Sequence, residues 1–256
     1  MTQHHRKYGK PPIEEALCEF RFKPDQDWDF TVPGRLYTKL EKEYPGKPRN
    51  QKAAAIGLDI QEGSPLNIKY NEGLARVELL SEDGRRMVGV RPDALTVHIL
   101  KPYQYAELEV DGWEGFKSRI LVALSAYWEV TEPKGIYQVG IRYINKIIIP
   151  EKKADIKEYL QMALPSVKEL PKKLTRFMSQ VEYDYEDDVR LILSQGYASV
   201  SQEHNRELLL DLDVIWSPPE PVRQEKALEM VDDLHLREII AFEAIITDKT
   251  RELFNV

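Results

Sequence analysis

Asp211 and Asp213 stand two residues apart in Leu208-Leu209-Leu210-Asp211-Leu212-Asp213-Val214-Ile215, a run whose alternation predicts a strand. Successive side chains of a strand point to opposite faces, so both carboxylates share one face while Leu210, Leu212 and Val214 take the other. Parallel carboxylates can hold Mg²⁺ for phosphoryl transfer or nuclease chemistry. They can equally be the solvated face of an amphipathic strand, balanced by a cross-strand cation such as Arg190. A second polar group, Arg142, Asn145 and Lys146, lies in Gly140-Ile141-Arg142-Tyr143-Ile144-Asn145-Lys146. Alternation puts Arg142 and Lys146 opposite Tyr143 and Asn145. Glu19 and Arg21 hold the corresponding place in an earlier strand. A half-covered arginine needs a partner, because burying an unpaired charge is costly, and Glu19 is the expected partner of Arg142. On an open sheet face the same residues would make a basic spot able to meet a phosphate or carboxylate of a ligand.

The remaining reactive residue types point to structure more than to chemistry. His235 falls on the apolar stripe of the last helix and reads as a satisfied core histidine; His98 and His204 have no cysteine or carboxylate at ligand spacing. The single cysteine, Cys18, allows neither an internal disulfide nor a cysteine-based zinc site, and its apolar strand face makes it a small core residue. No serine sits in a nucleophile elbow, and no glycine-rich phosphate loop occurs. The acidic run Asp184-Tyr185-Glu186-Asp187-Asp188 lacks the glycine and closing glutamate of an EF-hand loop and reads as a hairpin tip. Basic clusters at 46–52 and 168–176, with Tyr183, Tyr185 and Tyr197 nearby, leave single-stranded nucleic acid as a conceivable partner. No cofactor is predicted; Mg²⁺ enters only if the two aspartates bind metal.

Positioning these groups requires a sheet. Residues 135–150 form the longest β-rich run, with Val139, Ile141, Tyr143, Asn145, Ile147 and Ile149 on one face. Apolar groups on both faces predict a strand in the middle of the sheet. Pro11-Pro12 fixes an extended entry into a first strand over 13–22, in which Ala16, Cys18, Phe20 and Phe22 alternate with Leu17, Glu19 and Arg21. A helix opens at Thr31-Val32-Pro33, with Leu36, Leu40 and Tyr44 as its stripe, and a strand follows near 53–61. Asp83-Gly84 predicts a type I′ hairpin between 75–81 and 85–91. A strand over 94–100 precedes a helix over 111–128, opened by an Asp111/Glu114 capping box and striped by Trp113, Phe116, Ile120, Leu124 and Tyr127. In the second half the pattern predicts a short helix over 154–163, then strands over 176–185, 189–195 and 207–215. The last helix is expected over 222–254, with Leu228, Val231, His235, Ile239, Phe242 and Ile246 buried.

This order predicts an α+β fold of internally duplicated β-α-β-β-β-α units sharing one curved antiparallel sheet, with two long helices on a single face. That is a TATA-binding-protein-like layout; tandem ferredoxin-like domains are the alternative. Residues 1–10 are expected to be a loose N-terminus, 11–132 the first repeat and 133–256 the second. With 256 residues, 42% hydrophobic and 31% charged, the chain can bury a sizeable core. Its formal charge of −7 weakens the case for a sequence-independent grip on a phosphate backbone. No apolar run is long enough to span a bilayer and Met1 to Lys7 carries no apolar targeting segment, so a cytoplasmic protein is expected.

Three stretches carry a resemblance: Tyr8-Gly9-Lys10-Pro11-Pro12-Ile13-Glu14-Glu15-Ala16-Leu17-Cys18-Glu19-Phe20-Arg21-Phe22; Gly140 to Lys146 with Ile149-Pro150; and His235 to Phe242 before Ile246-Thr247 and Arg251. In them the chain resembles an uncharacterised protein family scattered sporadically among bacteria and archaea. Val90-Arg91-Pro92-Asp93-Ala94-Leu95 is similar too, departing at Arg91 and Ala94. The resemblance implies no activity and no catalytic residues. Its patchy distribution implies mobile genes of the defence or toxin–antitoxin kind. The function expected is therefore a non-enzymatic protein-binding module, a partner or neutraliser for another, cationic protein from a neighbouring gene. A nucleic-acid-binding protein or metal-dependent nuclease using Asp211 and Asp213 is the alternative. An apolar, aromatic open sheet face would favour protein binding; a basic one would favour nucleic acid.

Overall fold

The computed structural model describes residues 6–23, 29–51, 54–59, 67–72, 76–101, 112–150, 156–161, 177–200 and 206–255. Strands β1 (Ile13–Lys23), β2 (Arg49–Gln51), β3 (Ala54–Asp59), β4 (Asn67–Glu72), β5 (Arg76–Leu80), β6 (Arg86–Val90) and β7 (Ala94–Leu100) come from the first half. The second half supplies β8 (Gly135–Ile149), β9 (Met178–Asp184), β10 (Val189–Val200) and β11 (Arg206–Trp216). Helices are α1 (Val32–Leu40), α2 (Trp113–Thr131), α3 (Gln224–Ile245) and α4 (Asp248–Phe254). Nine strands form one antiparallel sheet in the order β2-β5-β6-β7-β1-β8-β11-β10-β9, and β3 pairs with β4 separately.

Strict alternation decides the centre of this sheet. In β1, Ala16, Cys18, Phe20 and Phe22 are buried, and across the strand pair they meet Tyr143, Ile141, Val139 and Ile136 of β8. β8 has apolar side chains on both faces, as befits a strand flanked by β1 and β11. Both long helices lie on the face these residues share. Tyr127 of α2 stacks on Phe22 with ring centres 4.4 Å apart, and His235 of α3 stacks on Tyr143 at 5.6 Å. Burial pushes the Cys18 thiol well above its ordinary pKa, which keeps it protonated and inert.

Several elements depart from the periodicity. The last helix stops at Ile245, because Ile246 turns extended to bridge Leu160 and Thr247 starts α4 as its cap, accepting from the Thr250 amide. The buried stripe of α3 is Ala227, Val231, Leu234, His235, Glu238 and Ala241, rotated by about one residue from the apolar pattern. Gly112 caps α2 without a side-chain bond; Asp111, half of the expected capping box, lies outside the described residues. The β5–β6 turn is longer than a two-residue type I′ loop: Gly84 has φ +69° and donates to the Ser81 carbonyl, while Ser81 Oγ receives the Arg86 amide. Of the helix expected over 154–163, the described part is a single 3₁₀ turn, Ile156–Glu158; the basic cluster at 168–176 lies outside the described residues. The end expected to be loose is held from Tyr8 on: its ring meets Phe254 edge-on and its hydroxyl donates to Glu243 at 2.6 Å.

Candidate functional site

The sequence-derived candidates divide between the two faces of the central strands. On the face away from the helices, β1, β8, β11 and β10 bring Glu19, Arg21, Arg142, Asp213 and Arg190 around a depression of about 320 Å³. Arg142 does not pair with Glu19. Its Nε and Nη2 donate to the two carboxylate oxygens of Asp211 at 2.8 and 2.6 Å, a fork-on-fork geometry, and this bond raises the arginine's pKa. The long side chain reaches diagonally past Asp213, its direct cross-strand neighbour, to the next strand position of that face. Glu19 instead receives Arg21 Nε at 2.6 Å. Lys146 lies 3.9 Å from Glu14, and Arg190 lies 3.8 Å from Glu182 rather than on either aspartate.

Asp211 and Asp213 do share this face, with Leu210, Leu212 and Val214 buried behind them. Asp211 is committed to Arg142. Asp213 has no ion pair among the described residues, and burial pushes its carboxyl up to about 6. No group of three or more metal-ligating side chains occurs among the described residues. Toward β7 the same face carries Glu15, His98 and Thr96 in a chain, with His98 Nδ1 2.6 Å from Glu15 and Nε2 2.8 Å from Thr96. That hydrogen bond from His98 lowers the Glu15 pKa. The face is thus neither apolar and aromatic nor basic; its charges largely neutralise one another.

Asn145 lies on the opposite, helix-covered face, and there the structure holds what periodicity missed. A cavity of about 560 Å³ opens between the N-terminal segment, the start of α2, β8 and α3. This lies within the range typical of small-molecule sites. One wall is a stack of three rings: Trp113 on His235 at 3.6 Å, and His235 on Tyr143, whose hydroxyl lies 3.3 Å from His235 Nδ1. Pro12 and Ile13 from the strand entry and Phe242 from α3 complete the apolar lining. Leu236, 43% exposed, sits at the rim.

Two polar side chains in this cavity are buried and under-bonded. Asn145 is 1% exposed, and its amide makes one long contact of 3.5 Å to the Tyr143 carbonyl. Glu238 is 4% exposed and has no hydrogen bond or ion pair among the described residues. Burial alone pushes its carboxyl up to about 8. Glu243, five residues on, contrasts with it: it accepts from Tyr8 and pairs with Arg251 Nε at 3.0 Å. Hydrophobic periodicity does not reveal Glu238, because a charged residue falls outside the apolar spacing that marks a buried stripe. Its spacing of three from His235 and seven from Val231 was the available signal. Tyr8, Pro12, Tyr143, Asn145, His235 and Phe242, far apart in the chain, all line this one cavity.

Neither a scan against protein-family models nor a search of curated proteins returns a match for this chain.

Proposed function

We propose that the protein is a binding module and that it takes hold of its partner through the helix-side cavity. The observation that carries this reading is the pair of buried, under-bonded polar groups, Asn145 and Glu238, set among stacked rings in a preformed space of about 560 Å³. A buried polar group without a hydrogen bond costs on the order of 1–3 kcal/mol. Glu238 has no such bond among the described residues and Asn145 a single long one, which a ligand supplying the missing bonds would explain. A protein partner of the kind expected from the sequence would reach the site by inserting a side chain.

We infer that the two halves are copies of one unit, in a TATA-binding-protein-like layout. Supporting this, each opening strand (β1, β8) pairs with the last strand of its own half (β7, β11), and the order then steps outward through β6-β5 and β10-β9. The binding cavity would then lie at the join, with walls from both copies.

The test is a thermal-shift screen of small polar aromatic compounds and short peptides against the wild type and Leu236→Trp, which narrows the rim without touching the core. Compounds that raise Tm in the wild type should lose at least about tenfold in affinity in the variant, a difference visible through ligand-linked stabilisation. A screen without hits, or hits that bind Leu236→Trp equally well, refutes the reading.

A further inference from the structure

The geometry points to a planar cationic group, a guanidinium or amidinium, as what the cavity binds, held by the Glu238 carboxylate and laid against the Trp113–His235–Tyr143 stack. The inference rests on the cavity being a binding site and adds the chemistry of its occupant. A carboxylate presents two oxygens in one plane, which a guanidinium or amidinium meets with two parallel N–H bonds. Aromatic faces attract cations, and a flat cation can stack on a ring while its edge stays free to donate. Asn145 offers a carbonyl oxygen to a further N–H of the same group. An anionic occupant would face Glu238 with no described cation bonded to it. A neutral apolar one would leave Glu238 without a partner among the described residues and Asn145 with only its long bond to the Tyr143 carbonyl.

The other titratable groups around the cavity do not supply Glu238 with a counter-charge. Asp232 is engaged by Lys117, and Glu243 by Tyr8 and Arg251. Glu114 at the start of α2 is acidic as well, and His235 is stacked between two rings. Arg6 and Lys7 line the cavity from the N-terminal segment, yet both side chains are exposed, and neither perturbs Glu238, whose shift has burial as its sole cause. Entry of a cation lets the carboxyl ionise, and its proton leaves to solvent: neutral Glu238 plus a bound cation becomes a carboxylate–cation pair plus one released proton.

Titration calorimetry with benzamidine and its neutral isostere benzamide tests this on the full chain. Benzamidine should bind at least about tenfold more tightly than benzamide. At pH 6.5, buffers of different ionisation enthalpy should reveal close to one proton released per benzamidine bound. Glu238→Gln, shown to be folded by its cooperative urea unfolding, should lose both the preference and the proton release. A peptide bearing arginine, compared with the same peptide bearing citrulline, separates the two sources of the group: tighter binding of the arginine peptide than of benzamidine assigns it to a protein partner, and the reverse to a free small molecule. Benzamide binding as tightly as benzamidine, or no proton release, overturns the cationic assignment and leaves the cavity as a binding site. If none of the four probes binds, the cavity reading falls with it.

Discussion

Replacing Glu238 with glutamine should stabilise the protein, by an amount that grows with pH. The carboxyl titrates at about 8 in the fold, against 4.5 as its ordinary value. Between those two values the native state holds a proton that the unfolded chain has released, so unfolding free energy falls as pH rises. The penalty is nearly absent below pH 4.5, builds through the window and is complete above about pH 8. At 1.36 kcal/mol per pH unit it amounts to roughly 1 kcal/mol at pH 5 and roughly 4–5 kcal/mol at pH 8.5. Glutamine has the same size and stays neutral, so the variant escapes this term. Urea denaturation of both proteins at pH 5 and 8.5 measures it as a shift in midpoint at constant slope. Taking the difference between the two proteins at each pH cancels Asp213, whose raised carboxyl bends the stability curve of both in the same sense. For a chain of this length the gain at pH 8.5 corresponds to roughly 8–20 °C in Tm. If wild type and variant respond to pH in parallel, the carboxyl is not held neutral by burial, and the account of the cavity fails at its base.

The ion pair on the opposite face predicts the reverse sign. Arg142→Met leaves the Asp211 carboxylate, 11% exposed, without its two donors, and should lower stability by about 2–3 kcal/mol, with most of the loss recovered in Arg142→Met/Asp211→Leu. An unchanged urea midpoint for the single variant would show that the pair is not structural. Because Arg142 already occupies both oxygens of Asp211, Mg²⁺ or Mn²⁺ should give no saturable heat in calorimetry and no change in Tm; a saturable heat would restore the metal-dependent nuclease reading.

What the sequence revealed and what it hid follow from the reach of each physical signal. Alternation has a period of two and tolerates no slip, so the faces of β1 and β8 could be read directly, whereas their register, with Cys18 opposite Ile141 and Ala16 opposite Tyr143, could not. Alternation fixes the face a side chain occupies but not the diagonal it takes. For that reason the partner of Arg142 came out as Glu19 when the long guanidinium in fact reaches Asp211. In α3, apolar residues cover most of the circumference: Leu236, Ile239 and Ile240 sit beside the true stripe. Hydrophobic spacing alone therefore points about one residue off the buried stripe and does not mark Glu238. The end of that helix was hidden in the same way, since Ile246 continues the apolar spacing while Thr247-Asp248 carries the capping signal that stops it.

The two faces of β8 handle polarity in opposite ways, and that contrast argues for where binding occurs. On the open face Arg142 is bonded twice and Lys146 has Glu14 within reach; a ligand arriving there must displace contacts the protein already makes. On the helix side Asn145 and Glu238 make almost none, so a ligand of fitting chemistry gains bonds without breaking any. Sequences that tolerate a buried, unbonded carboxyl give up stability to keep it, and such losses concentrate at sites shaped by function. The same side chain that weakens the free protein is thus the one a cationic guest would strengthen.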